Sequence, residues 1–162
     1  MEKIVIFGNS GSGKSTLAKM YSNKYALHHL DLDTLAWLNT TPPQRKSIEE
    51  SAVIIKTFLN KNLNWVVEGC YSDLLNIVIK EATKVIFLNP GVEVCINNCK
   101  KRPWEPHKYK SLEEQNKNLE MLINWVREYP VRNDEFSLNS HDKLFKEFSG
   151  EKEQYTSNHR LF

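Results

Sequence analysis

The apolar run Ile4-Val5-Ile6-Phe7 stops at Gly8-Asn9-Ser10-Gly11-Ser12-Gly13-Lys14-Ser15, after which the chain resumes as a helix-forming stretch. This octet fits G-x-x-x-x-G-K-[ST] at every fixed position, with a strand before it and a helix after it, the context that gives the pattern meaning. Glycines at 8, 11 and 13 accept dihedrals and close approach that a Cβ would block. Backbone N–H groups can therefore converge on phosphate oxygens, aided by the positive end of the following helix. Lys14 supplies a point charge to the β and γ phosphates, and the Ser15 hydroxyl is placed to ligate Mg²⁺. Gly8 to Thr16 is the predicted nucleotide-binding segment, with ATP and Mg²⁺ as the expected cofactors.

The rest of the chain alternates short apolar strands with helices, which predicts an α/β fold with a mostly parallel sheet covered on both faces. Lys3–Phe7 is the first strand, His28–Leu32 the second, Trp65–Gly69 the third and Val85–Leu88 the fourth. A weak fifth is expected around Gln154–Thr156. Helices are expected from Ser15 to Tyr25 with Leu17, Met20 and Tyr21 on one side, from Ser47 to Lys61, from Asp73 to Glu81, and from Val92 to Lys101. Ser47-Ile48-Glu49-Glu50 reads as a capping box, with Ile48, Ala52, Ile55 and Leu59 at helical spacing behind it. Ser111-Leu112-Glu113-Glu114 reads as another, opening a helix with Leu112, Leu119, Ile123 and Val126 as its stripe. A last helix is expected near His141–Phe148. Trp37 lies in a loop, and Thr40-Thr41-Pro42-Pro43 is turn chemistry.

At 162 residues the chain has the length of one domain, here 1–162, able to bury about two-thirds of its unfolded surface. Twenty acidic residues against 22 basic ones leave a net charge of +2, too small a field to draw the chain to nucleic acid or membrane. The apolar runs are far shorter than a bilayer span, and the N-terminal one is too short for an export signal. Cys70, Cys95 and Cys99 are odd in number and lack C-x-x-C spacing, so reduced thiols and a cytoplasmic location are expected. Cys70 follows the third strand and keeps a smaller claim as a pocket thiol.

His29, Asp31 and Asp33 alternate, so they share a face if the chain stays extended there. Ligands in a parallel open sheet bind at the carboxyl ends of the strands, where Asp31, Asp33 and Glu68 lie. Asp31 and Glu68 are candidate metal residues alongside Ser15, and Asp33 is the candidate group for orienting an acceptor hydroxyl. Lys100, Lys101, Arg102, His107, Lys108 and Lys110 cluster around Pro103-Trp104-Glu105-Pro106, which predicts a structured lid at about 102–112. Arg102 is expected to stack on adenine or touch phosphate, and Arg127 and Arg132 are further catalytic candidates. A GTPase would need N-K-x-D, yet Asn60-Lys61 and Asn116-Lys117 are each followed by Asn-Leu. Trp65-Val66-Val67-Glu68 matches a Walker B strand only in part.

Gly8–Thr16, His29–Trp37, Trp65–Ser72 and Lys84–Leu88 run in the order seen in P-loop kinase-like proteins. The chain most resembles the group labelled DNA-topology-modulation or FlaR-related, relatives of adenylate and shikimate kinases. That resemblance implies a five-stranded parallel sheet in the order 2-3-1-4-5, ATP and Mg²⁺ binding, and a lid. It also implies that Arg102-Pro103 is similar to the Arg-Pro opening a shikimate kinase lid, with the arginine on adenine. Asp31 and Asp33 look like that group's paired aspartates. Glu68-Gly69-Cys70-Tyr71-Ser72-Asp73 departs from adenylate kinases, which place an arginine here to hold the acceptor's phosphate. It departs from shikimate kinases as well, which place a glycine run here.

The expected activity is ATP-dependent phosphoryl transfer to a small-molecule acceptor by a monomer or homodimer. The rival from another class is an ATP-binding regulatory module that contacts a protein or DNA without a small-molecule acceptor. Nucleic-acid binding with Trp104 as a stacking platform is a third reading, and no sustained basic patch supports it.

Overall fold

The computed structural model describes residues 1–159. Its centre is a parallel sheet of β1 (Lys3–Gly8), β2 (His28–Asp31), β5 (Trp65–Gly69), β6 (Lys84–Leu88) and β7 (Glu151–Tyr155), ordered β2-β5-β1-β6-β7. Numbered among themselves these strands run 2-3-1-4-5, the expected order. β3 (Trp37–Leu38) and β4 (Gln44–Arg45) form a small antiparallel hairpin apart from the sheet, which the turn at 40–43 connects. The last strand starts earlier than its apolar content indicated, because an edge strand paired on one side tolerates Glu151-Lys152-Glu153.

Alternation along β1 sorts the core. Val5 and Phe7 join Trp65, Val67, Val85 and Phe87 on one face, under α2 (Ile48–Lys61), α3 (Ser72–Val78) and α7 (Leu138–Glu147). Ile4 and Ile6 join Val66, Ile86 and Leu88 on the other, under Leu17 and Ala18 of α1 (Lys14–Tyr25). Each such side chain contributes about 1.5–3 kcal/mol on burial, which is why four apolar residues in a row suffice to place the strand centrally. A third cluster, Cys95, Ile96, Cys99 and Val126, joins α4 (Val92–Lys100) to α6 (Leu119–Arg127).

Several helical expectations are corrected. Met20 is exposed, and α1 buries Leu17 and Ala18 instead. Ile48 is also exposed, while Ser51, Ile55 and Leu59 carry the α2 contact behind a complete Ser47/Glu50 capping box. The helix predicted from Ser111 is two: α5 (Leu112–Lys117) and α6, parted at Asn118. Only half of the predicted capping box forms there. Ser111 accepts from the Glu114 N–H, but the Glu114 carboxylate reaches back to the Lys110 N–H, and Leu112 stays exposed.

Candidate functional site

The loop between β1 and α1 is shaped by close approach. A Cβ on Gly8, at φ +152°, would lie 2.2 Å from the Leu88 carbonyl oxygen. One on Gly11, at φ +77°, would lie 2.4 Å from the Cys95 oxygen and 2.6 Å from Cys99 Sγ. The loop is therefore wedged between β6 and α4, and only glycine fits. Asn98 donates to the Gly11 oxygen at 2.8 Å, and the buried Asn9 amide donates to Val126 O at 3.3 Å, tying the loop to α4 and α6. α1 starts with no side-chain cap and no acidic residue in its first turn, so its leading N–H groups and positive end remain open to an anion. Lys14 Nζ donates to the Asn9 oxygen at 2.8 Å across this opening.

At the opposite wall, β2 ends at Asp31 and the chain turns into a 3₁₀ segment, Leu32–Thr34, capped by the Asp31 carboxylate accepting from the Asp33 N–H at 2.9 Å. The extended alternation expected through Asp33 thus stops at Asp31. Both carboxylates nevertheless face a common cation: Lys108 Nζ lies 2.8 Å from Asp33 Oδ2 and 3.8 Å from Asp31 Oδ2. Burial and the neighbouring Glu68 and Asp33 charges push Asp31 up to about 6. Burial pushes Asp33 the same way, but the Lys108 charge and the Lys108 and Tyr71 hydrogen bonds outweigh it and hold Asp33 low. Glu68 is buried and meets His29 Nε2 at 3.3 Å. The Tyr71 hydroxyl donates to Asp33 Oδ1 at 2.5 Å and accepts from the Trp37 indole at 2.8 Å.

The segment after α4 folds over these walls. Gln115 clasps it, accepting from the Glu105 N–H at 2.9 Å and donating to Pro103 O at 3.0 Å. The Trp104 indole donates to Tyr109 O at 2.9 Å, and Arg102 pairs with Glu105 at 3.7 Å. Phosphate loop, acid wall and lid enclose a cleft of about 720 Å³.

Of the loop residues, Ser10, Gly11, Gly13, Lys14, Ser15 and Thr16 line this cleft, while Gly8, Asn9 and Ser12 lie buried behind it. Asp33, Glu68 and Arg102 line it too. Asp31 reaches it through Lys108. Arg127 and Arg132 do not line it. Arg127 is exposed beside Asn124, and the Arg132 guanidinium lies 3.4 Å from the Trp125 ring centroid while bonding Trp125 O and Glu128. Cys70 lines the cleft, and burial pushes its thiol up to about 12.

Sequence reasoning missed three supporting parts: the Lys108–Asp33 pair, the Trp37–Tyr71–Asp33 chain, and His141. The ring of His141 is buried, bonding Cys70 O through Nε2 and Tyr129 Oη through Nδ1, both at 2.7 Å, beneath the β5 exit. Basic clustering around Lys108 was visible, but not which carboxylate it meets.

Ser15 and Glu68 both line the cleft, and Asp31 meets it through Lys108. Among the described residues no group of three or more His, Cys, Asp or Glu forms a protein-only metal cage. No helix among them is long and apolar enough to cross a membrane.

No protein-family profile matches the chain. Over 109 residues it is 31% identical to a protein of Sulfurisphaera tokodaii named "Putative adenylate kinase", a stretch covering 62% of this chain and 55% of that protein. The match thus spans about half the length of that relative. The parallel sheet, the loop and this weak similarity fit a P-loop kinase-like protein.

Proposed function

We propose that the chain catalyses ATP-dependent phosphoryl transfer to a small-molecule acceptor. The observation that carries this reading is the shared cleft, onto which the phosphate loop, Asp33 and Glu68, and the lid open together. Such a reaction has a loose transition state, so positioning and charge neutralisation supply most of the acceleration. Loop N–H groups and Lys14 hold the β and γ phosphates. Arg102 approaches the nucleotide from the lid once it leaves Glu105. Ser15 would hold Mg²⁺ through its hydroxyl, with Asp31 or Glu68 as the carboxylate beside it. Mg²⁺ would supply charge for the β- and γ-oxygens. Asp33 orients the acceptor hydroxyl and takes its proton.

The order of Gly8–Thr16, His29–Trp37, Trp65–Ser72 and Lys84–Leu88 along the chain supports a place near the FlaR-related group of P-loop kinase-like proteins, as one nucleotide-binding unit with its lid at about 102–112. Three free cysteines accord with a reducing, cytoplasmic setting. The test is calorimetry with Mg²⁺ and a non-hydrolysable ATP analogue, followed by ADP-release assays over candidate acceptors. Saturable binding and acceptor-stimulated turnover are expected; absence of binding removes the reading.

A further inference from the structure

Resting on that reading, we propose that the acceptor is an uncharged or cationic hydroxyl compound whose donor group takes the place of the Lys108 ammonium, and is not a nucleoside monophosphate. The two oxygens of Asp33 are treated differently by the fold. Oδ1 takes the 2.5 Å bond from Tyr71, whose ring is buried and whose oxygen is fixed by the Trp37 indole. Oδ2 takes the 2.8 Å bond from Lys108. The first partner belongs to the wall and stays; the second belongs to the lid and leaves with it. What replaces it meets Asp33, with Asp31 and Glu68 close by, and must be a hydrogen-bond donor.

An anionic acceptor would face this acid wall with little to offset the repulsion. Phosphate is usually held by arginine forks, and the arginine on this side is committed elsewhere. Arg45 lies 3.1 Å from Asp73 and 3.0 Å from Glu135, with its guanidinium 4.8 Å from the Tyr71 ring centroid. Lys14 and Lys19 of α1, and Lys101 and Arg102 at the root of the lid just past α4, also line the cleft, next to the phosphate loop that Asn98 of α4 holds at Gly11. There the phosphates of ATP absorb their charge. Among the described residues Lys108 is the lysine or arginine that ion-pairs with the acid wall, and the acceptor must displace it.

In the transfer itself the acceptor hydroxyl oxygen bonds the γ-phosphorus as the bond to the β,γ-bridging oxygen breaks. ADP leaves with that electron pair, and the hydroxyl proton passes to Asp33 Oδ2 and on to solvent.

The test measures ADP release from Mg·ATP with AMP, GMP, CMP and UMP, and in parallel with nucleosides, aldoses, polyols and amino alcohols. Stimulation of about tenfold or more by a member of the second set, and none by the monophosphates, is expected for a positioned acceptor. Stimulation by a monophosphate, or silence across both sets, overturns the inference. Calorimetry with Mg²⁺ and the non-hydrolysable analogue separates the two failures. Binding of the analogue leaves the nucleotide reading standing, whereas no heat removes both. Lys108→Met should lower the KM of the stimulating acceptor by removing its competitor; a raised KM contradicts displacement.

Discussion

Lys108 and Asp33, 75 residues apart in sequence, meet at 2.8 Å and so join the lid to the acid wall. The lysine pays a desolvation cost, which tends to lower its pKa, but the Asp33 and Asp31 charges more than compensate and keep it protonated well above the usual range. Both partners are partly exposed, so the pair contributes about 1 kcal/mol.

Lys108→Met should therefore raise amide exchange across residues 103–109 about fivefold in the ligand-free protein. Asp33→Asn should do much the same, and the double variant should add little, because both changes remove one interaction. Unchanged exchange would mean that the Gln115 clasp alone sets lid opening.

Gly11→Ala should damage nucleotide binding and stability together. The added methyl meets the Cys95 carbonyl and Cys99 sulfur, and φ +77° is strained for alanine besides. The loop must lift from α4, at a cost of about 1–3 kcal/mol. Thermal melting with and without Mg·ATP reads both effects, and a variant with native melting and native ligand-induced stabilisation would contradict the wedge.

Lys14→Ala should leave the fold intact, since Lys14 gives up a single hydrogen bond, to Asn9 O, that solvent can replace. Turnover should fall by about 10²-fold or more, the scale on which loss of one preorganised charge-stabilising group is felt. Circular dichroism and ADP release measure the two halves, and undiminished turnover would strip Lys14 of its role.

Much of this architecture was written locally. Ile4-Val5-Ile6-Phe7 before the glycines, Trp65-Val66-Val67 and Val85–Leu88 are short buried-type runs whose pattern depends only on neighbours in sequence. Positions such as Met20, Ile48 and Leu112 misled because helical periodicity marks an apolar stripe without saying how wide the covering surface is. The hairpin at Trp37–Arg45 was hidden by strands of two residues each, held by long-range contacts of Arg45 with Asp73 and Glu135. At the site, loop and acid residues were readable by motif and strand exit. Which cations faced them was not: Lys108 and Arg132 both look like helix-flanking basic residues, and only the folded chain sends one to Asp33 and the other onto Trp125.

His141 carries the clearest pH dependence. Burial pushes its pKa from the usual 6.5 down to about 4, so the ring is neutral in the fold, accepting from Tyr129 Oη and donating to Cys70 O. The unfolded chain binds a proton here below roughly pH 6.5, while the folded chain resists until about pH 4. Stability from this group is thus full above pH 7 and declines as pH falls through that window, by about 3 kcal/mol in all at 1.36 kcal/mol per unit. His141→Gln removes the titration while keeping an amide N–H for Cys70 O. The variant should be less stable at pH 7, because the fit to Tyr129 is lost, yet its unfolding free energy should fall about 3 kcal/mol less between pH 7 and pH 4 than that of the parent chain. Denaturant melts at half-unit pH steps measure the difference. Parallel curves would assign the acid sensitivity to carboxylate pairs such as Glu153 with Lys84 instead, where the Lys84 hydrogen bond holds the carboxyl below its usual range and the contribution is lost only at lower pH.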